Sequence, residues 1–374
     1  MTGSHGDRPR GVEEEFHVFD IESGQPVPRA DALPRGAERH GETFTGELPR
    51  SVVESDSGAQ ASLDGLFGDL TTTRARVDRA AASEGQAAVA VGTAPPARLG
   101  TVPSTDGDPR HAHLTEEYGR LGDEQLICGV HVHADVPDRD TAVRAVCVVA
   151  PCLPVLPAPS ASSPYWPGAD TGHASRHTVV RQRRPTAGPP GCFAGAQEYD
   201  RVVDELVGSG VIGDPGMIYD DLRPPDHLPT VEMRVCDASP HAETVAMTAE
   251  LYRVLVADAL DRTETGKAGC GGNHAWLRAA TWRVARSGPE GDPVDPLTRR
   301  PVPAPDAVRG TLRRLRPALE ARGDHRPSDR PTEEGHMRKH DRPPLHATGS
   351  ASPGSRPARS VVPGEVAFRV RADR

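Results

Sequence analysis

Three short segments of this chain alternate apolar residues with pairs of chemically capable polar ones, and that alternation suits each to a β-strand with one polar face. The segments are Gly11-Val-Glu13-Glu-Glu15-Phe16, Gly129-Val-His131-Val-His133-Ala134 and Thr230-Val-Glu232-Met-Arg234-Val235. Side chains two apart on a strand share a face. Each segment therefore sets a polar pair on one side and lays Val130, Val132, Val231, Met233 and Val235 toward a core. Glu14 falls on the face opposite Glu13 and Glu15 and is expected to tolerate Gln. Two carboxylates, two imidazoles, and a carboxylate with a guanidinium suit a divalent metal and a polyphosphate. Three such strands imply a catalytic sheet.

A length of 374 residues allows one large domain or two of ordinary size. The 36% hydrophobic content is enough for a core, while 38 Gly and 38 Pro imply many loops. The net charge of −9 gives no sign of nucleic-acid or acidic-membrane binding. The first ten residues are polar, unlike a signal peptide, and no run of 18 apolar residues offers a membrane span. A cytoplasmic protein without membrane or nucleic-acid partners is expected. The six cysteines, at 128, 147, 152, 192, 236 and 270, contain no CxxC pair, so no disulfide framework or zinc knuckle is expected. Cys128, Cys147 and Cys236 sit in apolar runs and read as small buried hydrophobes.

Along the chain, a polar leader at 1–10 precedes the first strand, and 42–54 reads as a second extended stretch. Leu63, Leu66, Phe67, Leu70, Val77 and Ala81 recur at helical spacing over 62–82. A buried strand is expected at 87–92, another strand at 126–134, and an Ala/Val helix from 140 that Pro151, Pro154, Pro157 and Pro159 punctuate. Residues 164–192 read as a long polar loop, the kind that is functional when ordered. A helix at 196–209, a strand at 229–237 and helices at 242–260, 275–286 and 305–322 follow. From 324 to 374 the chain is dense in Pro, Arg, His, Ser and Gly, and is expected to be a disordered tail after a catalytic domain at 11–323.

The order of several motifs resembles the type 2 glutamate–cysteine ligase family. The matching stretches are Gly11-Val-Glu-Glu-Glu-Phe16, the Glu47 and Glu54 pair, Glu116-Glu-Tyr-Gly-Arg-Leu121 and Cys128-Gly-Val-His-Val-His133. Ser160-Ala-Ser-Ser-Pro-Tyr-Trp166, Asp170-Thr-Gly172 and Pro185-Thr-Ala-Gly-Pro-Pro190 continue the series. Asp226-His-Leu-Pro-Thr-Val-Glu-Met-Arg-Val-Cys-Asp237 and Leu277-Arg-Ala-Ala-Thr-Trp-Arg283 complete it.

The resemblance implies an α+β fold, a curved antiparallel sheet with flanking helices like that of glutamine synthetase and the guanido kinases. It implies ATP-dependent joining of a carboxylate to an amine, with L-glutamate and L-cysteine as the family's substrates, through an acyl phosphate, to γ-glutamylcysteine, ADP and phosphate. Carried over by position, Glu13, Glu15, Glu47, Glu54 and Glu232 become candidate Mg²⁺ ligands. His131 and His133 would contact nucleotide or metal, and Arg234 the transferring phosphoryl group, with Glu232 beside it. Arg176, Arg181, Arg183 and Arg184 are candidates for holding substrate carboxylates by bidentate pairing. The expected partners are small molecules, and a homodimer is compatible with the pattern.

The chain also departs from the family pattern. Arg176-His177 stands where an aromatic-Arg pair is typical, Arg184 where a Trp usually precedes Pro185, and Asp220 where an aromatic is usual. Pro157 and Pro159 fall where a Leu-rich helix normally continues, and the C-terminal ending differs. These departures lower the turnover expected. They sustain an alternative, a relative that binds nucleotide without catalysis. A weaker alternative is a metal-dependent hydrolase using His131 and His133.

Overall fold

The structure is a computed structural model that describes residues 8–27, 45–46, 51–95, 116–166, 168–264 and 274–321. The expected tail at 324–374 and the candidate ligand Glu47 lie outside the described residues.

The longest strand, β1 (Arg10–Asp20), organises the sheet. It pairs antiparallel with β3 (Val52–Asp56) on one side. On the other it pairs with β5 (Gly129–Asp135) through its first half and β4 (Gln86–Val89) through its second. Beyond β3 lies β2 (Thr45–Gly46), and beyond β5 lie β7 (Thr230–Asp237) and β6 (Leu222–Arg223). Every pairing is antiparallel. The expected α+β architecture, an antiparallel sheet with flanking helices, is therefore present. β1 begins at Arg10, one residue inside the expected leader, because that side chain is buried against Glu250, with Nη2 2.8 Å from the carboxylate.

One face of the sheet is apolar and covered by helices. Val12, Val130, Val132, Ala134, Val231, Met233 and Val235 pack there in one cluster. The helices over them are α1 (Leu63–Ser83), α3 (Arg139–Val149) and α6 (Ala242–Glu264); a short α2 (Arg120–Asp123) precedes β5. Each fully buried Val or Met contributes about 1.5–3 kcal/mol relative to exposure. α1 starts where Ser62 accepts a hydrogen bond from Gly65 N, and α3 where Asp138 accepts one from Thr141 N at 2.7 Å. The interrupting prolines act as expected: α3 stops at Val149, and the chain turns from Ala150 to Ser160 with Leu153, Val155, Leu156 and Ala158 buried.

The segment read as a long polar loop contains a short helix, α4 (Arg176–Arg181), in which His177, Thr178, Val180 and Arg181 are buried. Tertiary contact rather than local propensity makes it: Val180 joins Phe19, Leu126, Ile127 and Trp166 in a small cluster. Next come α5 (Ala196–Gly208), α7 (His274–Ser287) and α8 (Ala304–Ala321). The cysteine reading needs correction. Cys147 on α3 and Cys192 in the loop before α5 form a disulfide across 45 residues. Closing a loop of that length removes unfolded-state freedom worth about 4 kcal/mol in the chain-entropy picture. No CxxC spacing signals this pair, since tertiary packing brings the residues together.

Glu14, on the face away from Glu13 and Glu15, has a structural role of its own. It is 1% exposed on the helix-covered face and receives Arg74 Nε at 3.1 Å and Nη2 at 2.6 Å. Arg74 also donates to the carbonyls of Ser239 and Pro240, tying α1 to the chain end of β7. Neutralising Glu14 leaves the half-buried Arg74 guanidinium without its counter-charge, held only by the two carbonyls. Glu14→Gln is expected to lower unfolding stability by about 3 kcal/mol, read by urea denaturation, with Mg-ATP affinity unchanged. Stability within 0.5 kcal/mol of the parent, a typical surface-substitution effect, would contradict this role.

Candidate active site on the polar face

The opposite face of the sheet gathers the polar pairs. Register sets Glu13 opposite both His131 and Asp56, Glu15 opposite Glu54, and His133 opposite Glu232. Arg223 on β6 faces Glu232 from the other side. Between the pairs Val130–Cys236 and Val132–Met233, β7 advances three residues while β5 advances two. This bulge re-aims the side chains near Arg234, a device common beside active sites.

Glu13 is the junction of the site. Its Oε2 lies 2.9 Å from His131 Nδ1 and its Oε1 2.8 Å from His133 Nε2. Two sets of potential ligand atoms, each within 4.8 Å of one another, share it: Glu13 with Glu54 and His131, and Glu13 with His133 and Glu232. The three carboxylates fit a hard divalent ion such as Mg²⁺, and the imidazoles widen the range toward transition ions. Glu15 faces the same way, but one carboxylate oxygen accepts Gly129 N at 2.6 Å, so part of its role is to hold β5. Glu232 is 1% exposed and flanked by guanidinium groups, Arg223 Nε at 2.6 Å and Arg234.

The electrostatics follow from these contacts. Burial works to raise the Glu13 carboxyl, yet the hydrogen bonds and charges of His131 and His133 hold it far below the usual carboxylate range. Burial, reinforced by Arg234, pushes His131 down to about 4. Burial is the largest influence on His133 and lowers it, but the hydrogen bond and charge of Glu13 with the charge of Glu232 together outweigh it and raise the imidazole. Burial opposes ionisation of Glu232, and Arg234 and Arg223 overcome it to hold the carboxyl at about 2. Arg234 is held further above its ordinary range, because Glu232, Glu13 and Glu15 outweigh its burial.

The four arginines of the 164–192 segment do not converge as a substrate clamp. Arg181 is 4% exposed and donates to the Tyr219 carbonyl at 2.6 Å and to Asp221, so its guanidinium is committed to an internal pair. Its assignment to substrate carboxylates is corrected on that ground. Arg183 pairs with Glu124, and Arg184 lies over the Tyr219 ring at 4.2 Å. Arg176 is partly buried, with its Nε unpartnered.

Several residues of this region escaped sequence reading. Arg223, the second guanidinium on Glu232, sits on a two-residue strand with no alternation to betray it. Asp237, fully buried, accepts Ser163 Oγ at 2.5 Å, Ser175 Oγ at 2.6 Å and Ser162 N at 3.0 Å. It thereby fixes the start of α4 over the polar face. The serine-rich motif before Trp166 was the available signal. His17, two residues beyond Glu15, is fully buried with both ring nitrogens unpartnered, and burial and nearby His177 push it down to about 3.

With this arrangement in view, the fold is similar to that of solved glutathione synthetase and glutamate–cysteine ligase structures. A bifunctional glutathione synthetase from Pasteurella multocida superposes with a TM-score of 0.62 at 14% identity, covering 85% of this chain and 46% of that one. Glutamate–cysteine ligase from Francisella tularensis, solved in complex with AMP, gives 0.61 at 13%, covering 84% of this chain and 78% of that one. The sequence model of glutamate–cysteine ligase family 2 matches residues 10–335, and the chain belongs to that family. A Frankia casuarinae protein named "Putative glutamate--cysteine ligase 2-2" is 47% identical over 310 residues, 83% of this chain and 36% of its own length. A Saccharopolyspora erythraea protein of the same name is 41% identical over 321 residues, 84% of this chain and 81% of its own. The chain thus spans little more than a third of the Frankia relative. No helix among the described residues is long and apolar enough to cross a membrane.

Because Glu13 belongs to both sets of ligand atoms and Glu54 to one, their substitutions should differ. Glu13→Gln is expected to weaken Mg-ATP binding at least about ten-fold in calorimetric titration, and Glu54→Gln less, with circular dichroism unchanged in both. Equal losses would show that Glu13 is not shared.

A second expectation concerns acid. Glu232, depressed when folded, contributes stability that is present above its unfolded pKa of 4.5 and lost as pH falls through about 2. Glu232→Gln should flatten the fall in unfolding free energy across that window, measured by urea titrations from pH 5 to pH 2. An unchanged slope would remove Glu232 from the acid response.

Proposed function

We propose that this chain is an ATP-dependent carboxylate–amine ligase that joins L-glutamate to L-cysteine at low turnover. The observation that carries the reading is Glu13: one carboxylate shared by two ligand sets, beside a buried Glu232 held between two arginines. A surface ion-pair network does not need that convergence, whereas phosphoryl transfer does, because charge accumulates on the phosphoryl oxygens and must be neutralised.

In this reading Glu13, Glu54 and Glu232, with His131 and His133, would hold Mg²⁺, and Glu15 would support them through β5. When bound, the ion supplies charge neutralisation and orientation for the ATP phosphates. Arg234 stands at Glu232 and would offer donors to the same phosphates, while Arg223, committed to Glu232 and to the Gly216 and Ile218 carbonyls, would hold Glu232 in place. The substrate carboxylate attacks the γ-phosphate; its oxygen gains the phosphorus and ADP leaves. The amine nitrogen then attacks the acyl carbon, the carbon–oxygen bond to phosphate breaks, and the departing phosphate takes up the amine proton. The products are an amide, ADP and hydrogen phosphate.

The deciding experiment is a screen of amino acids and amines for ADP release with Mg²⁺ and ATP. Acid-dependent ADP release with amide formation supports the ligase. Nucleotide binding without acid-dependent release would favour the catalytically silent relative, and ATP-independent hydrolysis with bound zinc the hydrolase.

Arg234 offers the sharpest test of mechanism. If its charge is matched to the transferring phosphoryl group, Arg234→Ala lowers kcat and kcat/KM together by about 100-fold or more. The KM for ATP changes far less. Arg234→Lys restores charge without the planar fork and recovers only part. Near-normal kcat in Arg234→Ala would leave the Glu232 contact as structural only.

A further inference from the structure

The disulfide between Cys147 and Cys192 stands apart from the metal and phosphate chemistry, yet a chain of backbone bonds runs from it to Arg234. Cys192 closes the loop that begins with Pro185-Thr-Ala-Gly-Pro-Pro190. In that loop the Gly188 carbonyl accepts Asp221 N at 2.7 Å, and the Asp221 carbonyl accepts Arg234 N at 2.9 Å. Thr186 Oγ1 donates to the Met217 carbonyl at 2.6 Å and accepts Tyr219 N at 3.1 Å. The loop therefore lies as a ribbon against 217–221. The register of β7 with β5 passes over Arg234 at the bulge, so its amide bonds to Asp221 instead. The disulfide fastens the far end of this ribbon to α3, whose Val146, Val148 and Val149 sit in the main core.

The bond is open to small thiols. Cys147 and Cys192 are partly exposed, whereas Cys128 and Cys236 are buried. Burial pushes the Cys236 thiol up to about 12 and that of Cys152 to about 11, which keeps both protonated and unreactive near neutral pH. A thiolate that attacks one sulfur of the disulfide leaves a mixed disulfide and one cysteine thiolate; a second thiolate then attacks the mixed disulfide. Two electrons pass to the protein, the two small thiols leave as a disulfide, and the cysteine thiolates take up protons from water. Opening the bond does not release α5. Ala196 N donates to Asp140 Oδ1 at 2.8 Å, and the Phe193 ring meets Tyr199 edge-on with centroids 5.4 Å apart. What opening removes is the tie nearest Gly188.

We propose that the Cys147–Cys192 disulfide is a thiol-sensitive switch on Arg234: closed, it holds the 185–192 loop against Asp221, and opened by a low-molecular-weight thiol, it loosens the backbone that positions Arg234. Its effect on turnover rests on the ligase reading, in which the second substrate and the product both carry a thiol. The switch would then lower activity as the thiol pool around the enzyme rises.

The test compares the full chain oxidised, reduced by a dithiol, and reoxidised, with the state of the bond read by mass after alkylation. Reduction is expected to speed amide exchange at Asp221 and Arg234 about ten-fold while amides of β1 and β5 keep their rates. Turnover should fall about ten-fold, with the KM for ATP little changed, because positioning rather than binding is lost. Reoxidation should restore both. Cys147→Ser and Cys192→Ser should match the reduced parent in exchange and turnover and no longer respond to the dithiol. Equal protection of Asp221 and Arg234 in the two states overturns the proposal. So does a loss of protection spread evenly over the sheet, or a dithiol response that persists in both serine variants. Selective loosening at Asp221 and Arg234 without acid-dependent ADP release in either state would sink the ligase reading and leave the switch.

Discussion

The Glu13 carboxylate is the point on which the polar face turns. Its two oxygens lie 2.9 Å from His131 and 2.8 Å from His133, and the strand carrying it runs through the centre of the sheet. Gathering four acids, two imidazoles and two guanidinium groups on one partly buried surface is costly, since desolvation of a charge can exceed the attraction it gains. The structure offsets this by interleaving signs. Each Glu13 oxygen meets an imidazole, Glu232 lies between Arg223 and Arg234, and Glu15 meets a backbone amide. A hydrophobic lining of equal volume would serve stability as well or better, so the arrangement is better explained by chemistry that needs fixed charge than by folding.

β7 transmits that arrangement to the rest of the molecule. Its apolar side, Val231, Met233 and Val235, anchors the strand to α3 and α6, which fixes where Glu232 and Arg234 can stand. Its last residue, Asp237, reaches Ser162, Ser163 and Ser175 and so pins α4 over the sheet. Just beyond, the carbonyls of Ser239 and Pro240 receive Arg74 from α1, which also holds Glu14. One strand thereby couples the helical layer, the Glu232–Arg234 pair and the segment that roofs the polar face. Displacement of β7 would disturb all three together.

The parts of this design that repeat along the chain were legible in the sequence, and the parts made by distant pairing were not. Two-residue alternation gave the polar and apolar faces of β1, β5 and β7, and helical spacing gave α1, α5 and α6 to within a few residues. Alternation says on which face Glu14 lies but not what covers that face, so its pairing with Arg74, 60 residues away, was invisible. The same holds for Cys147 with Cys192 and for Arg223, whose strand is too short to show a period. The arginines of 164–192 were legible as charge but not as partners. Arg181 became buried because Asp221 follows β7's register through the Arg234 N to Asp221 O bond, a relation that exists only once the sheet has formed.

Burial of Arg181 changes where recognition of the substrates has to come from. With Arg181 held by Asp221, Arg183 by Glu124 and Arg184 against Tyr219, the segment's positive charge is largely spent on its own architecture. Bidentate capture of a carboxylate needs a guanidinium whose fork is open, and the guanidinium groups standing at the polar cluster itself are Arg223 and Arg234. Arg223 commits its guanidinium to Glu232 and to the Gly216 and Ile218 carbonyls, so the burden at the cluster falls on Arg234. The polar face thus runs from guanidinium groups at the β6–β7 edge to the paired acids and imidazoles of β1 and β5. Fixed guanidinium charge set beside buried acids, with its orientation settled by the sheet before any ligand arrives, is the kind of preorganisation that stabilisation of a developing anion requires.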